Sequence, residues 1–180
     1  RAAGRDFIWV RDVTVSNSTW GNRSLHIFGP RDGVHALGGG IGQGLQMAIG
    51  AAIAGAGRRT LCLVGDGGLQ VNIGELATLV QERANVTLLV MNDRGYGVIR
   101  NIQDAQYGGR RYYADLHTPD FAGLAGSVGL PFHRVRSLSD AGALREALAC
   151  TGPQMIEIDM TTVGPYTETF SGPPVRKVPA

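Results

Sequence analysis

The chain has 180 residues, 43% of them hydrophobic and 18% charged, with a formal net charge of +2. That balance suits one ordinary globular domain with a sizeable core and excludes a disordered chain. The charge is too small and too scattered to argue for nucleic acid; Arg110-Arg111 is the nearest approach to a basic cluster, and a solvated loop is its expected setting. No run reads as a signal peptide or a membrane span. Cys62 lies in an apolar run and Cys150 ends a helical pattern, neither with a CxxC partner, so free thiols in a reducing, cytoplasmic setting are expected.

The opening residues to Asp6 read as the end of a linker, so a piece of a longer chain is expected. Phe7 to Val15 reads as a first strand, with Ser16 to Thr19 as its polar exit and Trp20 to Leu25 as a short helix. His26 to Leu37 reads as a loop holding Pro30 and Gly33. Ile41 to Ala56 is rich in small residues and reads as a helix, closed by Gly57. Thr60 to Val64 is the next strand. Val71 to Ala84 carries Ile73, Leu76, Ala77 and Val80 at helical spacing, and Val86 to Met91 is a buried strand.

Gly95 to Asp104 fits a helix or an ordered loop, and the Tyr-rich stretch from Gln106 to Thr118 reads as a loop. Thr118-Pro119 leads into a helix from Asp120 to Val128. Phe132 to Val135 is a short strand, and Ser139 is the expected cap of a helix running to Leu148. Gln154 to Met160 alternates with period two and closes the strand set. The tail beyond it holds four prolines and is expected to be an irregular arm over 161–180. Five strands alternating with helices predict an α/β fold, a doubly wound, mostly parallel sheet.

Glycine is the outlier, at 27 residues, concentrated in Gly38-Gly39-Gly40, Gly42, Gly44, Gly65, Gly67 and Gly68. Glycines at strand-to-helix junctions point to close backbone approach to a ligand or another chain. The strand before Gly65 ends in Gly65-Asp66-Gly67-Gly68, and the next strand ends in Asn92-Asp93. In an open parallel sheet both ends lie on the carboxyl edge, where ligands bind. Two carboxylates beside glycine amides suit a hard cation that itself holds phosphate oxygens.

Gly65-Asp66-Gly67 followed after one helix and one strand by Asn92-Asp93 resembles the diphosphate-binding motif of thiamine-diphosphate enzymes. GGGIGQGLQMAIGAAIAG, GELATLVQ, NDRGYGVIR and PQMIEIDM resemble further segments of that family, so the likeness runs from about Phe7 to Met160. The nearest group is that of acetolactate synthase, benzoylformate decarboxylase and pyruvate oxidase, and the part resembled is its C-terminal, diphosphate-binding domain. The resemblance implies thiamine diphosphate and Mg²⁺ as cofactors and a small 2-oxo acid as substrate, without nucleic acid or membrane. It implies as partners a pyrimidine-binding domain, on the same or a partner chain, and a homo-oligomer, dimer or tetramer.

Carried over, Asp66 and Asp93 would be carboxylate metal ligands and Gly95 would offer its carbonyl oxygen. Asp93 departs from the family's asparagine and adds a negative charge. Gly40, Gly65, Gly67 and Gly68 would lie against the cofactor, and Ile41, otherwise a core residue, would hold its two rings in a bent arrangement. Ser18 and Thr19 align with a polar turn that hydrogen-bonds the diphosphate. His35, just before the glycine stretch, is a candidate acid or base. Glu75 is expected to be structural, because the family's catalytic glutamate comes from the pyrimidine-binding domain.

The function implied is a 2-oxo acid decarboxylase or acetolactate synthase-like carboligase, to which this piece would contribute the diphosphate side and be inactive alone. Two alternatives stand beside it: a separately encoded subunit of a two-chain decarboxylase, and an unrelated α/β module binding a nucleotide with Mg²⁺.

Overall fold

The computed structural model describes residues 6–15, 25–164 and 172. Six parallel strands form one sheet in the order β2-β1-β3-β4-β6-β5. The strands are β1 (Phe7–Arg11), β2 (Gly33–His35), β3 (Arg59–Gly65), β4 (Val86–Asn92), β5 (Phe132–Val135) and β6 (Gln154–Asp159). The sheet is therefore parallel throughout. It has one strand more than the sequence predicts, because β2 is only three residues long and starts at a glycine, too short to show a period.

Both faces are covered, as parallel sheets require. Alternate residues of each strand feed two cores. Ile8, Val10, Cys62, Val64, Leu88, Val90 and Met155 face one side, where they pack with α1 (Gly44–Ala54), α3 (Glu75–Gln81) and α5 (Phe121–Ser127). Trp9, Leu61, Leu63, Leu89, Met91 and Ile156 face the other, where Ala147 of α6 (Ala141–Ala149) joins them. All seven residues of β4 are buried, which accounts for the apolar run Leu88 to Met91 at its centre. Cys62 and Cys150 are both free thiols, and burial pushes the Cys62 thiol up from its usual range.

Several predicted elements move. The first strand stops at Arg11. The helix expected from Ile41 begins at Gly44, because Gly42 has φ +86°, outside the helical region. The helix expected from Val71 to Ala84 is confined to α3, and a further helix, α2 (Asp66–Val71), precedes it, with Asn72–Gly74 between them. Gly-Asp-Gly-Gly is therefore a strand end running straight into a helix rather than a free turn. Gly97–Gln106 is helical (α4). The helix start placed at Ser139 lies earlier: Asp140 accepts from Arg136 N at 2.7 Å and Ser137 N at 3.1 Å, and a 3-10 turn over Leu138–Asp140 precedes α6. Met160–Val163 forms a short helix, α7, where the arm was expected to begin; Asp159 accepts from Thr161 N at 3.1 Å. The predicted short helix at Trp20 lies almost wholly outside the described residues.

Among the described residues no helix is long and apolar enough to cross a membrane. The strand order reverses direction at β1: the chain leaves it toward β2 on one side and returns through α1 to β3 on the other. Such a switch point opens a crevice at the carboxyl ends of β1 and β3, beside β4.

Candidate active site

A cavity of about 210 Å³ occupies that crevice. Val13, Thr14 and Val15 enter it from the end of β1, Gly39 and Ile41 from the glycine stretch, and Gly65 to Gly68 from the β3–α2 junction. Asp93 and Gly95 to Ile99 close it from β4, with Met91 and Met160 below. The walls are mostly apolar, with two carboxylates set among them.

Asp66 is 1% exposed and is the first residue of α2, directly after Gly65, the last residue of β3. Its Oδ2 accepts from Gly95 N at 2.9 Å, which ties the β3 edge to the β4 loop. Asp66 and Asp93 also hydrogen-bond to each other through their side chains. Two carboxyl groups in contact must share a proton or a cation. Burial first, and the facing Asp93 charge second, push the Asp66 carboxyl up to about 7. Burial raises Asp93 as well, against the pull of Arg100.

The glycines leave space rather than merely permit a turn. A Cβ on Gly67 would come within 2.7 Å of the Tyr96 ring and 2.9 Å of Leu116. A Cβ on Gly97 would collide with Asp93 Oδ2, so this glycine lets the carboxylate lie against the start of α4. The β4 loop is held from outside by Tyr96 N, which donates to Ala114 O at 2.8 Å, and by Leu116 N, which donates to Arg94 O at 3.1 Å.

Asn92 does not join the carboxylates. Its Nδ2 donates to Glu157 Oε1 at 2.7 Å, and its Oδ1 accepts from Arg94 N at 3.1 Å. Glu157 in turn takes Arg134 Nε at 2.7 Å, and Arg134 also reaches Asp120 at 3.0 Å. This row, buried at Asn92 and Glu157 and reaching the surface at Asp120, fixes the end of β4, after which Asp93 follows.

Of the residues singled out in the sequence, Ile41, Gly65, Asp66, Gly67, Gly68, Asp93 and Gly95 line the one cavity. Gly40 lies between two of its lining residues, with its carbonyl accepting from Gln43 Nε2 at 3.2 Å. His35 ends edge strand β2 and lines a separate depression with Trp9, Arg11 and Val34, not the cavity of the two aspartates. Ser18 and Thr19 lie outside the described residues.

Sequence reasoning missed Asp12. It is 1% exposed and takes Val13 N at 2.7 Å, Gly42 N at 2.8 Å and Gly44 N at 3.0 Å. Gln43 offers α1 no side-chain cap, so an aspartate from β1 caps the helix across the crevice. The available signal was an acidic residue at the end of an apolar strand beside a glycine-rich helix entry. Gly42 is held from its other side too: its carbonyl accepts from Asn72 Nδ2 at 2.6 Å and Gln46 Nε2 at 2.7 Å.

The same cavity falls inside a recognised family region: residues 14–158 match the model of the thiamine pyrophosphate enzyme C-terminal TPP-binding domain. The chain belongs to that family. Among curated proteins, a probable acetolactate synthase large subunit of Methanococcus aeolicus is 30% identical to this TPP-binding domain over 140 residues, covering 77% of the chain and 23% of that protein. The acetolactate synthase large subunit of Cyanidium caldarium is 33% identical over 125 residues, 68% of the chain and 21% of that protein. The acetolactate synthase of Arthrospira platensis is 33% identical over 137 residues, 74% of the chain and 24% of that protein. The matched region thus spans about a quarter of the length of these relatives.

The residues present fit thiamine diphosphate with a hard divalent ion. Among the described residues no three His, Cys, Asp or Glu side chains gather into a cage. Two carboxylates next to a backbone carbonyl and a glycine floor are the donor set that Mg²⁺ takes when phosphate supplies the rest. The facing Asp93 charge that helps raise the Asp66 carboxyl is the repulsion a cation between the two would relieve.

Proposed function

We propose that this domain holds the diphosphate of thiamine diphosphate through Mg²⁺, as part of a 2-oxo acid decarboxylase or an acetolactate synthase-like carboligase. The observation that carries the proposal is the contact between the Asp66 and Asp93 carboxyls at the ends of β3 and β4, over Gly67 and Gly68, at the switch point of the sheet. Acetolactate synthases among the relatives favour the carboligase branch.

In this proposal Asp66, Asp93 and the Gly95 carbonyl hold the metal. Gly67 and Gly68 let the diphosphate approach the backbone. Ile41 stands at the wall to support the cofactor rings, and Met91, Val98 and Met160 keep the inner wall dry. When bound, thiamine diphosphate supplies the electron sink for breaking the bond between a keto carbon and its carboxylate.

Ile41 and Ile99 line the cavity yet are 36% and 43% exposed, an apolar rim that suits cover by a pyrimidine-binding domain of the same or a partner chain. On this reading the domain by itself is inactive, because the group that activates the pyrimidine ring comes from that second domain.

Titration calorimetry tests the proposal. Thiamine diphosphate should bind in the presence of Mg²⁺ and not in EDTA, and Asp66→Ala should weaken that binding by at least about 100-fold, beyond the loss typical of a residue behind a ligand. Binding of Mg²⁺ with nucleotides but not with thiamine diphosphate would overturn it in favour of a nucleotide module.

A further inference from the structure

A site with two carboxylates has a charge problem when its ligand is a diphosphate. Both carboxylates attract the metal, and both repel the anion that the metal must carry. The structure holds a cation where it would ease this conflict. Arg100, in the first turn of α4, puts its NH2 3.2 Å from Asp93 Oδ2 and donates from the same nitrogen to the Asp93 carbonyl at 2.7 Å. Its NH1 lies 3.4 Å from Asp115 Oδ1. The side chain is only 20% exposed, and a Cβ on Gly95 would come within 3.1 Å of its Cζ, so the guanidinium is packed against the backbone of the metal loop.

We propose that Arg100 is a positioning residue that acts as the fixed counter-ion of Asp93. It cancels one of the two carboxylate charges while leaving room for the metal, and it locks the loop from Asp93 to Gly97 through the Asp93 carbonyl. The paired site then carries one net negative charge, the same as a single carboxylate beside a neutral amide. Arg100 suits this role better than a lysine would, because its fork holds Asp93 through one nitrogen and Asp115 through the other. The inference rests on the metal-site reading above.

The test is a double-mutant cycle on the full protein purified free of cofactor. Mn²⁺ binding is read by electron paramagnetic resonance, and thiamine diphosphate binding with Mg²⁺ by calorimetry. Arg100→Gln should bind Mn²⁺ alone more tightly than the parent, yet bind thiamine diphosphate with Mg²⁺ about tenfold more weakly. Asp93→Asn should bind Mn²⁺ about tenfold more weakly, since Arg100 then faces the metal unopposed. The double variant Asp93→Asn/Arg100→Gln should recover both affinities to within about threefold of the parent, a rescue that loss of loop packing would not give.

A double variant no better than either single one, or an Arg100→Gln protein indistinguishable from the parent, overturns the inference. Should Arg100→Gln fail to fold, the double variant against Asp93→Asn still reads the coupling through Mn²⁺. A parent that shows no Mg²⁺-dependent thiamine diphosphate binding removes the metal-site reading itself, whereas parental binding without the coupling removes only the role of Arg100.

Discussion

Asp66 gives the site a pH signature of its own. Its folded-state pKa, about 7, lies above the ordinary carboxylate value near 3.9, so between the two the folded protein binds more protons than the unfolded chain. Stability of the cofactor-free protein should therefore fall as pH rises from about 4 to about 7 and level off above. Asp66→Asn should flatten that slope and leave the variant more stable than the parent at pH 8, as urea denaturation at pH 5 and pH 8 would read. If Asp66 holds Mg²⁺ as proposed, the metal competes with the Asp66 proton, so affinity for Mg²⁺ should rise over the same window. Gly42 carries a second residue-scale prediction. Its φ is +86°, and a Cβ there would lie 2.7 Å from Val71 Cβ. Gly42→Ala should cost about 2 kcal/mol or more, seen as a lower urea midpoint.

At the scale of elements, the entry to α1 depends on a partner distant in sequence. Asp12→Ala would strand the amides of Val13, Gly42 and Gly44. A loss of about 2–4 kcal/mol is expected, with weaker cofactor binding because Ile41 lies within the loosened turn; urea denaturation and calorimetry read the two effects separately. This element also shows where sequence was informative. The apolar runs of β3 and β4 and the Gly-Asp-Gly and Asn-Asp ends were plain, because burial on both faces and ligand approach both constrain residue type locally. Asp12 was not plain, because its partners lie 30 and 32 residues away. The same holds for Asn92, whose amide serves Glu157 across 65 residues instead of the cavity. β2 was missed for want of length, and the helix start expected at Ser139 falls inside the 3-10 turn over Leu138–Asp140.

At the scale of the molecule, the switch point converts six strands into one ligand-binding edge, and the two core clusters make that edge rigid from both sides. A ligand that binds only the folded state stabilises it by mass action. With Mg²⁺ and thiamine diphosphate at 100 times the dissociation constant, unfolding should be harder by about 2.7 kcal/mol, and EDTA should abolish the gain in a thermal melt. The strand order has another consequence, for the chain as it is made. β6 is the last strand in sequence, yet it sits between β4 and β5. Until Gln154–Asp159 leaves the ribosome, the edge of Val86–Asn92 has no neighbour on that side, and no hairpin supplies one because the described strands of the sheet all pair in parallel. An apolar strand with a bare edge is a template for joining other chains. Nascent chains ending short of residue 154 should therefore be the aggregating species, and chaperone demand should drop once the last strand is threaded into place.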